Sequence, residues 1–274
     1  MKILTFRAFT TPDPDPESGN AAGVVVGADG LTDGDMLRIA AELGHSETAF
    51  LTAITPESVR VRYFTPRAEI AFCGHATVAS GVALARRGAG PVIRFDTNSG
   101  TVPVEVSPGN ATLTAVETTV QPLTGPLLAE LIDALRLSPD DLDPALPAAF
   151  VRGGNPHPVV FVGPGVLAAL DHDAPRLLAL QDREGWDGTV PVVQRVSSHR
   201  FASRNPFPRG GIREDPATGS AAAGLGSYLR AGGHLPLPAE IVVDQGAETG
   251  HPSLIRVSIP ADGRVRVSGT ADPS

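Results

Sequence analysis

The sequence predicts an α+β fold of two pseudo-equivalent domains, each a rolled sheet or barrel around a central helix. Three observations carry this. Apolar runs rich in Val, Ile, Phe and Thr, separated by Gly, Pro, Asp and Asn, read as many short strands. "CGHATVASGVALARRG" (73–88) matches "TGSAAAGLGSYLRAGG" (218–233), an offset of 145 residues from 73 to 218, and both end on glycine, Gly88 and Gly233. Each matching helix carries small residues nearly all round and has no polar face, which marks it as buried. A buried helix among strands implies a sheet curled around it.

Taken in order, apolar runs at 3–9, 22–26, 48–53, 58–64, 91–95, 101–106 and 111–116 are read as strands. Thr32 to Leu43 reads as a helix. Thr32 caps it, Asp33 and Asp35 suit its positive end, and Met36, Ile39, Ala40 and Leu43 follow the 3.6-residue period. Gly44 is its expected stop. A second amphipathic helix is expected around 125–136, followed by a proline- and aspartate-rich loop at 137–147. The boundary between domains is placed at 119–124, giving domains 1–121 and 122–274, with the last strand, 264–271, free to return to the first domain. The repeat extends beyond its helices. "RYFTP" at 62 echoes "RFASR" at 200, and "VIRFD" (92–96) echoes "EIVVD" (240–244). A repeat of this length suggests two similar domains facing each other rather than a solenoid.

Composition excludes several classes of function. With 274 residues and 42% hydrophobic content the chain can bury a sizeable core. A formal charge of −8 argues against nucleic-acid or anionic-membrane partners. The apolar runs are far shorter than the roughly 20 residues of a membrane span. "MKILTFRAFT" is too short for a signal peptide, so a soluble, cytoplasmic protein is expected. The single cysteine, Cys73, permits neither an internal disulfide nor a thiolate-rich zinc site. The single lysine, Lys2, stands at the start of the chain, unsuited to Schiff-base chemistry. The seven histidines form no H-x-H or H-x-x-x-H pair, so no metal is expected. No G-x-G-x-x-G or Walker loop signals a nucleotide, so no cofactor is expected.

The candidate chemistry gathers around the two repeated helices. They begin G-H-A and G-S-A, and the first turn of a helix offers unpaired N–H groups to an anion. Gly74 and Gly219 would let a ligand approach the backbone closely, or would simply allow tight helix packing. If the domains face each other, both helix starts can converge on one carboxylate. Glu47, in "HSETAFLTA", shares a strand face with Ala49, Leu51 and Ala53. A carboxyl on an apolar face has a raised pKa, suited to proton transfer; the bland alternative is a solvated residue at the strand entry. Asp215, in "REDPATGSA", is either a helix cap or, if the helix starts near Gly219, a residue of the approach loop. His75 and Ser220 occupy equivalent places in the two repeats, as do Cys73 and Thr218.

These pieces resemble the phenazine-biosynthesis PhzF-type isomerase family, within the diaminopimelate-epimerase-like fold. The resemblance rests on "SGNAAGVVV" (18–26), "HSETAFL" (45–51), "RYFTPRAEIAFCGHAT" (62–77), "EDPATGSAAAGL" (214–225) and "GAETGHPSL" (246–254), in that order. It implies a cofactor-independent isomerase, commonly a homodimer, in which a glutamate at the place of Glu47 shuttles a proton on a small cyclic carboxylic acid. Residues at His75, Asp215 and Ser220 would line the site. Backbone groups at Gly74, His75, Gly219 and Ser220 would hold the substrate carboxylate, with Cys73 and Thr218 beside them. Racemases of this fold use two cysteines, and Thr218 at the second place disfavours a two-thiol mechanism. Alanine is more usual than cysteine at position 73 in the phenazine enzymes. "GNAAG" (19–23) lacks the family's usual proline, and "SRNPFPRGGIRE" (203–214) departs from the usual approach to Asp-Pro. Two alternatives stay open: a single-thiol racemase, epimerase or dehydratase using Cys73, and a carboxylate-binding protein without chemistry.

Overall fold

The structure is a computed structural model describing residues 1–13 and 15–274. Contacts divide the chain into two units, Met1–Ala115 with Arg266–Ser274, and Val116–Val265. The stretch read as the boundary therefore begins inside the second unit, where Thr119–Pro122 forms a strand.

The first unit contains β1 (Lys2–Ala8), β2 (Asn20–Val26), β3 (Glu47–Thr52), β4 (Ser58–Phe64), the short β5 (Glu69–Ile70), β6 (Val92–Thr97), β7 (Gly100–Ser107) and β8 (Asn110–Thr114). Its helices are α1 (Asp33–Leu43) and α2 (Gly74–Ala85). Thr32 caps α1 in a reciprocal box with Asp35, and Gly44 ends it at φ 68°, a conformation glycine adopts without steric cost. Helix α1 lies in a parallel crossover between β2 and β3, and α2 in one between β4 and β6.

The second unit contains β9 (Thr119–Pro122), β10 (Ala149–Gly153), β11 (Asn155–Val162), β12 (Val192–Arg195), β13 (Arg200–Arg204), β14 (Ala239–Gln245) and β15 (Ser253–Ile259), with α3 (Gly125–Ala134), α4 (Ala174–Glu184) and α5 (Gly219–Ala231). The crossovers repeat: α4 joins parallel β11 and β12, and α5 joins parallel β13 and β14. The echoed strands are thus β4 and β13 before the buried helix, and β6 and β14 after it. The last strand, β16 (Arg266–Pro273), pairs with β8 and with β1 and closes β1–β4, β6–β8 and itself into an eight-stranded barrel, with β5 paired to β4 outside it.

Two local features differ from the sequence reading. Helix α4 falls where none was expected; Asp173 caps it, Pro175 sits in its first turn, and Leu177, Leu180 and Gln181 turn inward. The loop 137–147 contains a 3-10 turn at Pro139–Asp141, set by a reciprocal pair between Ser138 and Asp141.

Helices α2 and α5 are buried almost throughout, Gly74 to Leu84 in one and Ala221 to Leu229 in the other. Their small residues are what admits strands on several sides. A Cβ at Gly81 would come 3.0 Å from Val106 Cγ1 and 3.1 Å from Ala111 Cβ. Gly226, 145 residues later, plays the same part: a Cβ there would come 2.9 Å from Val257 Cγ1 and 3.1 Å from Val265 Cγ1. Glycine at these places sets how closely the helix can lie on its sheet.

Candidate active site

Each unit holds a polar cluster at the start of its buried helix. Helices α2 and α5 share with α3 the lack of a side-chain cap bond. Helices α1 and α4 receive side-chain caps from Thr32 and Asp173, whereas the side chains of Cys73 and Thr218, at the cap positions of α2 and α5, make no cap bond. The first turns of α2 and α5 therefore keep backbone donors that no cap side chain consumes.

In the first unit, β3 delivers Glu47 and α2 delivers His75. Glu47 is the first residue of its strand yet is only 8% exposed, so it is not a solvated entry residue. His75 is buried as well, and its Nε2 lies 3.4 Å from Glu47 Oε2. Ser46 Oγ lies 3.4 Å from the same nitrogen. On the other side of the ring, Asn20 Nδ2 and Cys73 Sγ each lie 3.3 Å from Nδ1. An amide nitrogen only donates, so Nδ1 accepts from Asn20 and the ring hydrogen stands on Nε2, toward Glu47. Burial pushes the Glu47 carboxyl above its ordinary value of 4.5, against a smaller opposing effect of the Ser46 hydrogen bond. Below this cluster, Tyr63 OH donates to Thr77 Oγ1, at 2.6 Å, and Thr77 Oγ1 donates to the Cys73 carbonyl, at 2.6 Å. This chain fixes the backbone just ahead of α2.

Spacing along the chain gave no sign of a metal, because the candidate ligands are of different types and come from separate elements. In the structure the ligand-capable atoms of Glu47, Cys73 and His75 lie within 4.8 Å of one another. Among the described residues, this trio could hold a metal ion.

In the second unit, α5 starts at Gly219, which leaves Asp215 in the approach loop and Thr218 at the cap position. Asp215 is buried and accepts a 2.5 Å hydrogen bond from Thr218 Oγ1. Gln245 clamps this turn: its Nε2 donates to the Asp215 carbonyl at 2.6 Å, and its Oε1 accepts from Thr218 N at 3.2 Å. Glu214, next to Asp215, forms a buried double contact with Arg204, from Nε to Oε2 at 3.0 Å and from Nη2 to Oε1 at 2.5 Å. Ser220 pairs with His157 of β11, its Oγ 3.0 Å from Nε2.

The clusters echo each other with the residue types exchanged. In one unit a helix histidine, His75, meets a strand asparagine, Asn20; in the other a helix serine, Ser220, meets a strand histidine, His157. Gly19-Asn20 opens β2 and Gly154-Asn155 opens β11, and both glycines have φ +85°. Sequence reading singled out Glu47, Cys73, His75, Asp215, Thr218 and Ser220 but not Asn20, Ser46, His157 or Gln245. Asn20 and Ser46 lay inside quoted motifs. His157 carried one usable signal, its place in a second Gly-Asn strand opening.

A family model described as phenazine biosynthesis-like protein matches residues 6–274. The isomerase YddE of Escherichia coli (strain K12) is 35% identical over 285 residues, covering 98% of this chain and 95% of the relative. The trans-2,3-dihydro-3-hydroxyanthranilate isomerase of Pseudomonas chlororaphis is 33% identical over 264 residues, covering 93% and 91%. A crystal structure of the Bacillus anthracis phenazine biosynthesis protein of the PhzF family superposes with a TM-score of 0.85 at 26% identity, covering 100% of this chain and 97% of that one.

Proposed function

Because the chain belongs to the phenazine biosynthesis-like protein family, whose relatives here are named isomerases, we propose that it moves a proton on a small, cyclic carboxylic acid with Glu47 as acid and base. The observation that carries this reading is the buried Glu47 carboxyl beside His75, raised above the ordinary carboxyl range by burial. A carboxyl brought closer to neutrality combines adequate basicity with ready return of the proton. Glu47 takes a proton from a carbon next to a double bond; the electron pair of that C–H bond shifts the double bond by one place. The same carboxylic acid then returns the proton to the far carbon, so that atoms and charge balance without a cofactor. His75, with its hydrogen on Nε2, steadies the carboxylate and offers a second carrier for the proton.

The start of α2, at Gly74 and His75, supplies backbone donors suited to a carboxylate, and so, in its own unit, does the start of α5 at Gly219 and Ser220. Asp215, with Thr218 donating to it, is the acid of the second unit and orients polar substituents of the substrate. Cys73 and Thr218 form small walls. The enzyme is read as a cytoplasmic homodimer. No helix among the described residues is long and apolar enough to cross a membrane.

The test is Glu47→Gln, assayed by deuterium uptake from D₂O into trans-2,3-dihydro-3-hydroxyanthranilate and a panel of small cyclic carboxylic acids, followed by NMR. Loss of a proton-transfer group costs about 10²–10⁴-fold. Turnover preserved within a factor of a few removes Glu47 from the role. A second reading, with Cys73 as base, draws on its sulfur 3.3 Å from His75 Nδ1. Cys73→Ala separates the two: abolished turnover supports the thiol, and retained turnover supports Glu47.

A further inference from the structure

The cluster at the start of α2 mixes three kinds of metal ligand. Glu47, Cys73 and His75 are 8%, 6% and 4% exposed, and all three belong to the first unit. His75 Nε2 lies 3.4 Å from Glu47 Oε2 and 3.9 Å from Cys73 Sγ, and the ligand-capable atoms of the trio all lie within 4.8 Å of one another. Around a tetrahedral zinc ion, with bonds of about 2.0–2.1 Å to nitrogen and oxygen and about 2.3 Å to sulfur, neighbouring ligand atoms stand roughly 3.3–3.6 Å apart. Small side-chain rotations bring the trio to that geometry. The ligand types narrow the ion. A thiolate and an imidazole suit zinc or cobalt, whereas magnesium and calcium take shells of oxygen. Charge balances as well. Thiolate and carboxylate bring two negative charges to a doubly positive ion, so the buried ensemble is neutral and avoids the cost of an unpaired charge.

We propose that Glu47, Cys73 and His75 bind a single divalent cation of the zinc class, and that the bound ion withdraws Glu47 from proton transfer. The second half of this proposal rests on the isomerase reading. On binding, the Cys73 S–H bond breaks, the sulfur electron pair goes to the metal and the proton leaves to the buffer. Glu47 enters as the carboxylate and gives up any proton it carries in the same way. With an electron pair committed to the ion, it is a weaker base than the free group. His75 coordinates through Nε2, so its ring hydrogen moves to Nδ1. Asn20 stands 3.3 Å from Nδ1 and meets that hydrogen with Oδ1 once its amide turns over. A metal-bound histidine commonly donates its other N–H to an outer acceptor of this kind. Water completes the tetrahedron, as in other zinc sites with three protein ligands. Ion and substrate therefore compete for Glu47.

The test is a cobalt titration of the chain, with a non-coordinating reductant present, followed by optical absorption. Cys73 is the only cysteine, so a thiolate-to-cobalt charge-transfer band can come from no other residue, and cobalt on histidines elsewhere gives none. The wild type should take up one cobalt with that band and with the intense visible bands of a tetrahedral ion, and zinc should displace it. Cys73→Ser should erase the band. Glu47→Gln, which keeps the side-chain shape, should weaken cobalt binding by about tenfold or more, since loss even of a ligand's outer partner costs that much. Zinc should also move His75 from the Nε2–H to the Nδ1–H tautomer in nitrogen-15 NMR. No charge-transfer band in the wild type, an affinity unchanged in Glu47→Gln, or a His75 signal unmoved at saturating zinc would each overturn the site. These readouts need no turnover. In the deuterium-uptake assay, zinc should inhibit over the concentrations at which it fills the site, and a chelator should restore activity. A filled site with undiminished uptake would sink Glu47 as the base and leave the metal site standing, whereas a missing band would sink the metal site alone.

Discussion

Arg204→Met is expected to destabilise the protein by about 3–5 kcal/mol, the range for stripping one partner from a buried ion pair. Arg204 and Glu214 are each 8% exposed and joined by two contacts, at 3.0 and 2.5 Å. The guanidinium also donates to two backbone carbonyls, Leu167 at 3.1 Å and Leu170 at 2.8 Å. Methionine restores the packing of the stem but none of these four bonds. Glu214 is left charged in a buried place and two carbonyls lose a donor. With a slope of about 3 kcal/mol per molar, urea unfolding followed by tryptophan fluorescence should show a midpoint lower by roughly 1–1.7 M. Trp186, the only tryptophan, is buried in the same unit and reports on it. A double variant, Arg204→Met with Glu214→Gln, should recover much of the loss, because it removes the stranded charge. His172 adds a pH signature. It is buried, neither ring nitrogen has a hydrogen-bond partner, and Nδ1 lies 3.9 Å from Glu214 Oε1. Burial chiefly, then the charge of Arg213, hold its pKa low, with Glu214 opposing them and Arg204 adding a smaller push downward. Without Arg204, His172 gains a proton more readily and can face Glu214, so the deficit should shrink as pH falls from 8 to 6. A loss below about 1 kcal/mol at pH 7 would mean that the pair contributes no more than an exposed one, and would refute the reasoning.

Glu47→Gln should raise stability at neutral pH even as it removes activity. The folded-state pKa of Glu47 is raised, so the folded protein holds this proton more tightly than the unfolded chain; stability is greatest below the ordinary value of 4.5 and declines as pH climbs through the folded value. The melting-temperature gain of the variant should therefore be present at pH 8 and absent near pH 4, and a gain that grows toward acid would reverse the sign argued here. Gly226→Ala should destabilise by about 1–2 kcal/mol, since overpacking against Val257 and Val265 outweighs the better helix propensity of alanine. Gly34→Ala, on a helix position whose Cβ would meet nothing closer than Thr32 Oγ1 at 3.8 Å, is the control and should be neutral or stabilising in the same denaturation assay.

Much of the fold was legible because its signals are local or repeated. Helix α1 could be read to the residue, as its cap, acidic first turn and terminal glycine all lie within its own segment. The buried helices were legible because the sequence states them twice. Helix α4 was overlooked although Asp173 and Pro175 mark its start. Its role as the counterpart of α1 shows only once β11 and β12 are seen to run parallel. The site was legible in part. Glu47, His75 and Asp215 sit in dense motifs, whereas Gln245 reaches Thr218 across 27 residues and His157 reaches Ser220 across 63. Contacts of that span leave no periodicity to read. The same holds for the Glu47, Cys73 and His75 trio, whose members are drawn from two elements and the residue ahead of one of them.

Closing the first barrel imposes an order on biosynthesis. Strands β1 and β8 both wait for β16, which the ribosome makes only after all of Val116–Val265. While the second unit is being made, two strand edges of the first stand open, and open edges invite pairing with other chains. The second unit can finish folding first, as a contiguous stretch, while the first can only be held nearly closed. A released chain ending at Val265 should show residues 116–265 resisting protease while residues 1–115 remain cleavable.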